Sequence, residues 1–299
     1  MKKLLLLVNP HAGKGGFRAG MGDILLAFHK AGFSTTVAFT DKRGDAPRIA
    51  AEAAGKYDRI VCVGGDGTLG ETVSGLMQVE HRPALGYIPM GTTNDCAVTL
   101  GLSHDPEKAA YTAANGVVLP MDVGRLNGRS FFTYVAAFGA FTEVSYETPQ
   151  EQKLVLGRMA YILDGMRRLP NLTHRWTKVE YDNGVLEDDF IFGAVTNSRS
   201  VAGVIHLNED SGVSLSDGLF EVLLIRTPES MLQLGAIVTD ILAKNFDSDY
   251  VMLLRSKNVR FTFRDPVSWT ADGEDGGKHI QVLCENIPRA IDMIVNPYD

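Results

Sequence analysis

Cysteine is scarce in this chain, basic residues are outnumbered by acidic ones, and long hydrophobic runs are absent. Its three cysteines, Cys62, Cys96 and Cys284, are scattered through 299 residues. They supply neither a disulfide framework nor paired metal-ligand spacing, and they predict a reducing cytosol. The histidines, His11, His29, His81, His104, His174, His206 and His279, show no metal-binding spacing either. A formal charge of −7 excludes a broad, non-specific hold on nucleic acid and argues against simple electrostatic adhesion to anionic membranes. No apolar stretch is long enough to cross a bilayer. The opening Met1–Val8 imitates a signal peptide, but its apolar run is short, lacks a cleavage site and runs into Asn9-Pro10, so it reads as a first strand. Internal repeats and low-complexity linkers are also missing. What remains is 45% apolar and 22% charged, the make-up of a soluble globular protein with one large domain or two.

From residue 3 to about 116, strand-like and helical patterns alternate. Lys3–Val8, Ser34–Thr40, Asp58–Val63 and Ala84–Pro89 read as strands. Phe17–Ala31, Ala46–Lys56, Leu69–Val79, Asn94–Leu100 and a segment opened by Asp105-Pro106 read as helices. This alternation predicts a doubly wound parallel α/β domain over residues 1–120. After residue 117 the texture changes. Val117–Leu126, Ser130–Phe138, Thr177–Tyr181, Phe190–Thr196, Leu219–Arg226 and Val259–Phe263 are β-rich, and turns such as Asn127-Gly128 separate them. Two helices interrupt them, Glu151–Arg168 and Glu229–Leu242, the latter capped by Thr227-Pro228. A mostly antiparallel β domain over 121–299 is expected, with its final segment free to return to the first domain. The active cleft is expected between the two.

Four short constellations carry chemistry. Arg59-Ile60-Val61-Cys62-Val63 reads as a buried strand, and Gly64-Gly65-Asp66-Gly67-Thr68 follows at its carboxyl end, where open α/β sheets bind ligands. Glycines admit a phosphate close to the backbone, and amides at a helix start attract it. Asp66 then serves either as a Mg²⁺ ligand or as a plain helix cap. Asn9-Pro10-His11-Ala12-Gly13-Lys14-Gly15-Gly16 is a glycine-rich turn that is neither a Walker A loop nor a dinucleotide fingerprint. Gly91-Thr92-Thr93-Asn94-Asp95 opens another helix, where Asn94 or Asp95 is a cap when read alone. Asp272-Gly273-Glu274 is an acidic turn, by itself an ordinary solvated loop.

Taken in order, these motifs resemble those of the diacylglycerol kinase catalytic-domain family, and especially its bacterial soluble lipid kinases, with sphingosine and ceramide kinases as relatives. The resemblance implies an ATP- and Mg²⁺-dependent lipid kinase of phospholipid biosynthesis, moving the γ-phosphoryl group to the hydroxyl of diacylglycerol or a related lipid alcohol. By motif matching, Asn9, Pro10, His11, Ala12, Gly13, Thr40, Gly65, Asp66, Gly67, Thr68, Leu69, Gly70, Glu71, Thr92, Asn94 and Asp95 surround the nucleotide. Asp66 holds the catalytic Mg²⁺, with Asp95 and Asp122 in its acidic and water network. Glu274 matches the general base, with Asp272 beside it as a second catalytic candidate; in an extended segment both would face the same way, so one could orient the other or bind metal, and which of the two is the base stays open. Asp217, with the carbonyls of Ser214 and Leu219, matches a structural Mg²⁺ or Ca²⁺ site.

The pattern departs from the family at Gly70, where Asn is usual, at Cys96, where Phe is common, and across Ser200–Ser216, which lacks an expected glycine cluster and proline. Leu154, Leu156, Met159, Ile162, Leu163 and Met166, flanked by Lys153, Arg158, Arg167 and Arg168, fit either a core-packed helix or one that touches a membrane surface transiently. Trp176 and Trp269 fit the core or the interface. The expected setting is the cytoplasm, with peripheral contact at the inner face of the membrane, a lipid substrate, no nucleic acid, and a homodimer as an open option. NAD kinase is the rival enzyme reading, and a catalytically silent nucleotide- or lipid-binding protein the rival from another class.

Overall fold

The computed structural model describes residues 1–13, 17–92, 94–139, 175–197, 200–201, 205–206 and 214–297. The chain divides into two units, Met1–Val123 with Pro288–Asp299, and Gly124–Ile287.

In the first unit β1 (Lys2–Val8), α1 (Phe17–Lys30), β2 (Phe33–Phe39), α2 (Asp45–Ala53), β3 (Arg59–Gly64), α3 (Asp66–Leu76), β4 (Ala84–Pro89), α4 (Asp95–Thr99) and α5 (Pro106–Asn115) follow one another. β3 and β2 pair in parallel with opposite edges of β1, and β4 pairs in parallel with β3. The inner strands β1, β3 and β4 are apolar over Leu4–Val8, Ile60–Val63 and Leu85–Ile88 because both faces are covered, while the edge strand β2 carries Ser34, Thr35 and Thr36. Leu4, Leu6 and Val8 meet Ile24 and Phe28 of α1 and Ala109, Ala110 and Ala113 of α5. Each such fully buried leucine contributes about 1.5–3 kcal/mol over an exposed one. Asp105 caps α5, accepting from Glu107 N and Lys108 N, with Pro106 in the first turn as its sequence predicts.

β5 (Val117–Leu126) runs from the first unit into the second. The second unit holds β6 (Ser130–Phe132), β7 (Val135–Gly139), β8 (Trp176–Tyr181), β9 (Gly184–Thr196), β10 (Ser200–Val201), β11 (Ile205–His206), β12 (Phe220–Arg226), α6 (Met231–Ala243), β13 (Val251–Ser256), β14 (Asn258–Ala271) and the start of β15 (Glu274–Val295). Its main sheet is antiparallel in the order β13-β12-β9-β7-β14-β15. One side of the sheet buries Phe138, Phe261, Phe263 and Trp269, with Phe138 and Trp269 centroids 5.0 Å apart. Ala137, Phe192 and Leu223 share a separate apolar cluster with Leu234, Ile237 and Ile241 of α6. Trp269 is therefore a core residue.

The structure departs from the sequence reading in several places. The expected strand Ser130–Phe138 is broken at Thr133-Tyr134, whose amides turn to a side chain instead of a ladder. α6 begins two residues later than read, because Ser230 rather than Thr227-Pro228 caps it, its hydroxyl accepting from Gln233 N. β13 and the long β15 are strands that the sequence reading does not include. The second unit stops at Ile287; the last residues of the chain belong to the first unit, the return that the sequence reading left open, and there Met293 pairs in parallel with Leu85. The Glu151–Arg168 helix lies outside the described residues.

Candidate active site

The strand order of the first unit makes a switch point. From β1 the chain first builds outward to β2, then returns to add β3 on the other side of β1. Sheets of this kind bind ligands at the carboxyl ends of the strands flanking such a reversal. The loops after β1 and β3 meet there. Asn9 N donates to Val63 O at 2.9 Å, and Asn9 Nδ2 donates to Thr68 Oγ1 at 3.0 Å. Asn9 Oδ1 also accepts from His11 N at 3.0 Å, which fixes the turn itself.

The loop after β4 closes on both. A Cβ on Gly13, which has φ +63°, would stand 2.4 Å from Met90 O, and one on Gly91 would stand 2.7 Å from Gly65 Cα. Only glycine fits these approaches. Met90 N donates to Gly64 O at 2.7 Å. Asn94, itself buried and left-handed at φ 52°, holds Gly91 from both sides: its Oδ1 accepts from Gly91 N at 2.8 Å and its Nδ2 donates to Gly91 O at 2.9 Å. Tyr87 OH adds a bond to the same Oδ1 at 3.3 Å. Asn94 thus shapes the loop with all of its side chain.

Asp66 is the first residue of α3 and caps the next helix rather than its own. Its Oδ2 accepts from Asp95 N at 3.0 Å and its Oδ1 from Cys96 N at 3.1 Å, at the start of α4. Burial pushes its pKa up, and the amides of Cys96, Asp95 and Asn94 and its own pull it down. The residue is only partly buried, so its carboxylate remains open to solvent on one side. Asp95 is buried beside it, while Asp122, fully buried, accepts from Arg289 N at 2.7 Å. Among the described residues no three His, Cys, Asp or Glu side chains come together as a metal-binding group. A magnesium ion shared with a triphosphate needs only one or two carboxylates, so Asp66 fits that use. Thr40 N is tied to Val8 O and Glu71 accepts from Gly44 N at 3.4 Å, while Thr92 is exposed.

In the second unit, Asp272-Gly273 forms the two-residue turn of the β14–β15 hairpin, with Ala271 opposite Glu274. Both turn residues have positive φ, 49° and 81°, the combination a type I′ turn requires. The pair is therefore not extended, and Asp272 and Glu274 do not share a face. Asp272 is buried: its Oδ2 accepts from Thr133 N at 2.6 Å and Thr133 Oγ1 at 2.8 Å, and its Oδ1 from Tyr134 N at 3.0 Å and Val135 N at 3.1 Å. Burial pushes its pKa up to about 6 against the pull of these donors. All four partners donate, so the arrangement is built for the ionised carboxylate. Glu274 is exposed.

Asp217 stands elsewhere in this unit. Its Oδ1 accepts from Leu219 N at 3.0 Å, and its Oδ2 takes the Arg255 guanidinium, whose Nε lies 3.4 Å from Glu221 Oε1. A cation on Asp217 would compete with Arg255 for the same oxygen. Glu221 is 1% exposed, and burial pushes its pKa from 4.5 to about 7.

Residues 3–126 match the family described as "Diacylglycerol kinase catalytic domain", and residues 136–295 match "YegS C-terminal NAD kinase beta sandwich-like domain". A diacylglycerol kinase of Bacillus subtilis (strain 168) is 35% identical over 279 residues, 93% of this chain and 91% of that protein. One from Staphylococcus saprophyticus is 33% identical over 298 residues, 95% of this chain and 96% of its own. The chain belongs to the diacylglycerol kinase family. A crystal structure of a diacylglycerol kinase from Bacillus anthracis str. Sterne superposes with TM-score 0.77 and 26% identity, covering 99% of this chain and 97% of that one. The NAD kinase alternative is not favoured, since the curated relatives are named diacylglycerol kinases.

For a member of the diacylglycerol kinase family, the glycine motifs named from sequence do come together around the carboxyl ends of β1, β3 and β4. Sequence reasoning missed the partners of the site residues: in the first unit Met90 and Tyr87 behind Gly13 and Asn94, and in the second Thr133 and Tyr134 behind Asp272 and Arg255 on Asp217. Only register and tertiary contact reveal such partners. No helix among the described residues is long and apolar enough to cross a membrane.

Proposed function

We propose that the chain is an ATP- and Mg²⁺-dependent lipid kinase that phosphorylates a lipid hydroxyl, with diacylglycerol as the leading acceptor. The observation that carries this reading is the three-loop junction in which Asn9 meets Thr68 and Gly13, Gly65 and Gly91 allow backbone contact. Backbone amides at the start of α3, whose first residues are Asp66 and Gly67, supply donors for phosphate oxygens. Asn94 and Asp66 keep the third loop and α4 in place around them. Asp66, with Asp95 near it, would hold the magnesium ion, which when bound spreads charge over the phosphates. Glu274 accepts the proton of the acceptor hydroxyl as its oxygen bonds to the γ-phosphorus and the bond from that phosphorus to the bridging oxygen breaks, releasing ADP. The lipid is met by transient contact with the inner face of the membrane.

The test uses radiolabelled ATP and Mg²⁺ with the full chain and mixed micelles carrying diacylglycerol, phosphatidylglycerol or a polyprenol, beside a parallel reaction with NAD. Label in phosphatidic acid is expected. Label in NADP, or none in any lipid, would overturn the assignment, the second result favouring a silent binding protein.

A further inference from the structure

We propose that Asp272 and Thr133 are positioning residues for Glu274, holding the turn from which it projects, and that neither touches phosphate or metal. The inference rests on Glu274 being the proton acceptor, as proposed above. A carboxylate offers about four lone-pair sites, and the Asp272 carboxylate receives four hydrogen bonds, two on each oxygen. It has no site left for a cation, and taking a proton would break one of these bonds. Sequence resemblance places Asp272 next to the general base; the geometry gives it a different task.

That task follows from what the bonds connect. Thr133 and Tyr134 form the break between β6 and β7, and Thr133 is itself buried at 2% exposure. The Tyr134 carbonyl accepts from Thr196 Oγ1 at 2.6 Å and from Asn197 N at 3.0 Å, which ties the break to the end of β9. Asp272 N donates back to Val135 O at 2.8 Å. Asp-Gly is a favoured type I′ pair and shapes the turn by itself, but holding that turn in place against β6, β7 and β9 needs an outside anchor. Bonds from β9 through Tyr134 and Thr133 to Asp272 provide it, and Glu274 is the next residue after the turn. Tyr134 also lies over the turn, its hydroxyl 3.9 Å from where a Gly273 Cβ would stand.

Thr133→Val keeps shape and burial but removes the hydroxyl bond, and Thr133→Ser restores it. We expect Thr133→Val to lower kcat roughly tenfold, because small misplacement of a reacting group is costly, and Thr133→Ser to recover most of it. KM for ATP and the Mg²⁺ concentration for half-maximal rate stay within about twofold in both, as expected when only transition-state interactions are lost. In a Glu274→Gln background, adding Thr133→Val has no further effect on rate, because the position acts through Glu274. Asp272→Asn, if its melting temperature allows assay, shows the same kcat loss with unchanged Mg²⁺ dependence. Wild-type kcat in Thr133→Val, or a full additional loss in the double variant, overturns the positioning role. A Mg²⁺ requirement raised about tenfold or more in Asp272→Asn makes Asp272 a ligand and overturns it too. Wild-type rate in Glu274→Gln alone is a separate failure: it refutes the base assignment itself, and the positioning role with it.

Discussion

Asp66 and Asp272 are both followed by glycine, both sit in glycine-rich turns and both collect backbone amides, yet the two regions use the same dipeptide in opposite ways. In the first unit, Asp66-Gly67 opens a helix and its carboxylate, only partly buried, joins two loops while keeping solvent access. In the second, Asp272-Gly273 makes a hairpin turn whose carboxylate is fully engaged and buried. A carboxylate that solvent and ligands can reach can serve chemistry. One whose every acceptor site is filled serves architecture.

The largest expected effect comes from breaking the saturated member. Asp272→Ala strands three amides and a hydroxyl away from any acceptor, each costing about 1–3 kcal/mol if it stays buried. A fall in melting temperature on the order of 10 °C is expected by thermal unfolding. A value within about 2 °C of wild type would mean that water reaches those donors and that the clamp is weak.

Asp66→Ala should invert the pattern. It loses a helix cap, about 1 kcal/mol, but turnover should fall by at least ~10²-fold through loss of charge stabilisation at the phosphates. Near-normal activity across Mg²⁺ concentrations would remove Asp66 from the metal assignment and make both aspartates structural.

A third acidic side chain sharpens the contrast through pH. Glu221 is buried beside Arg255, and its pKa in the folded chain, about 7, lies above its ordinary 4.5. Between these values the folded state holds the proton more often than the unfolded one. Stability from this group is therefore full below pH 4.5 and is lost as pH rises through 7, at a slope of at most about 1.4 kcal/mol per pH unit. Urea unfolding at pH 5.5 and 7.5 should show this loss in the wild type and a flatter response in Glu221→Gln. Equal slopes in both would show that Arg255 neutralises Glu221 fully.

The smallest effect is expected at Asp217, an exposed partner of Arg255. Asp217→Ala should cost about 1 kcal/mol or less. Melting of the wild type with Mg²⁺ or with chelator decides whether a cation displaces the guanidinium. A higher melting temperature with Mg²⁺, abolished by Asp217→Ala, supports a structural site, and identical curves remove it.

The part of this molecule that sequence makes legible is the part built from local rules. β1 and β3 contain continuous buried runs, the first followed by Asn9-Pro10 and the second ending in Gly64, so their type, direction and ligand-bearing ends could be read directly. Asp105-Pro106 announces α5 by the same local chemistry. Thr133 could not be found this way, because it reaches Asp272 across a sequence separation of 139 residues. Arg255 is equally silent until the register places it opposite Glu221. The α6 boundary misled because two local caps compete, and the hydroxyl of Ser230, not the proline before it, is the one that bonds. The reading of Asp272 and Glu274 as neighbours on one face failed for a related reason: Asp-Gly favours positive φ, and two such residues make a turn where alternation would assume a strand.

The return of residues 288–299 to the first unit has a consequence for synthesis. Arg82 Nη1, just before β4, donates to Ala290 O, a partner 208 residues further along. At ribosomal rates of about 5–20 residues per second, that partner emerges roughly 10–40 s after the rest of the first sheet has been made. For that interval β4, with buried Leu85, Tyr87 and Ile88, lacks the neighbour that Met293 later supplies. An unpaired apolar edge is an invitation to pair with another chain. The nascent first unit is thus a natural client for chaperones that shield open strands, and its sheet is finished only after the second unit has been translated.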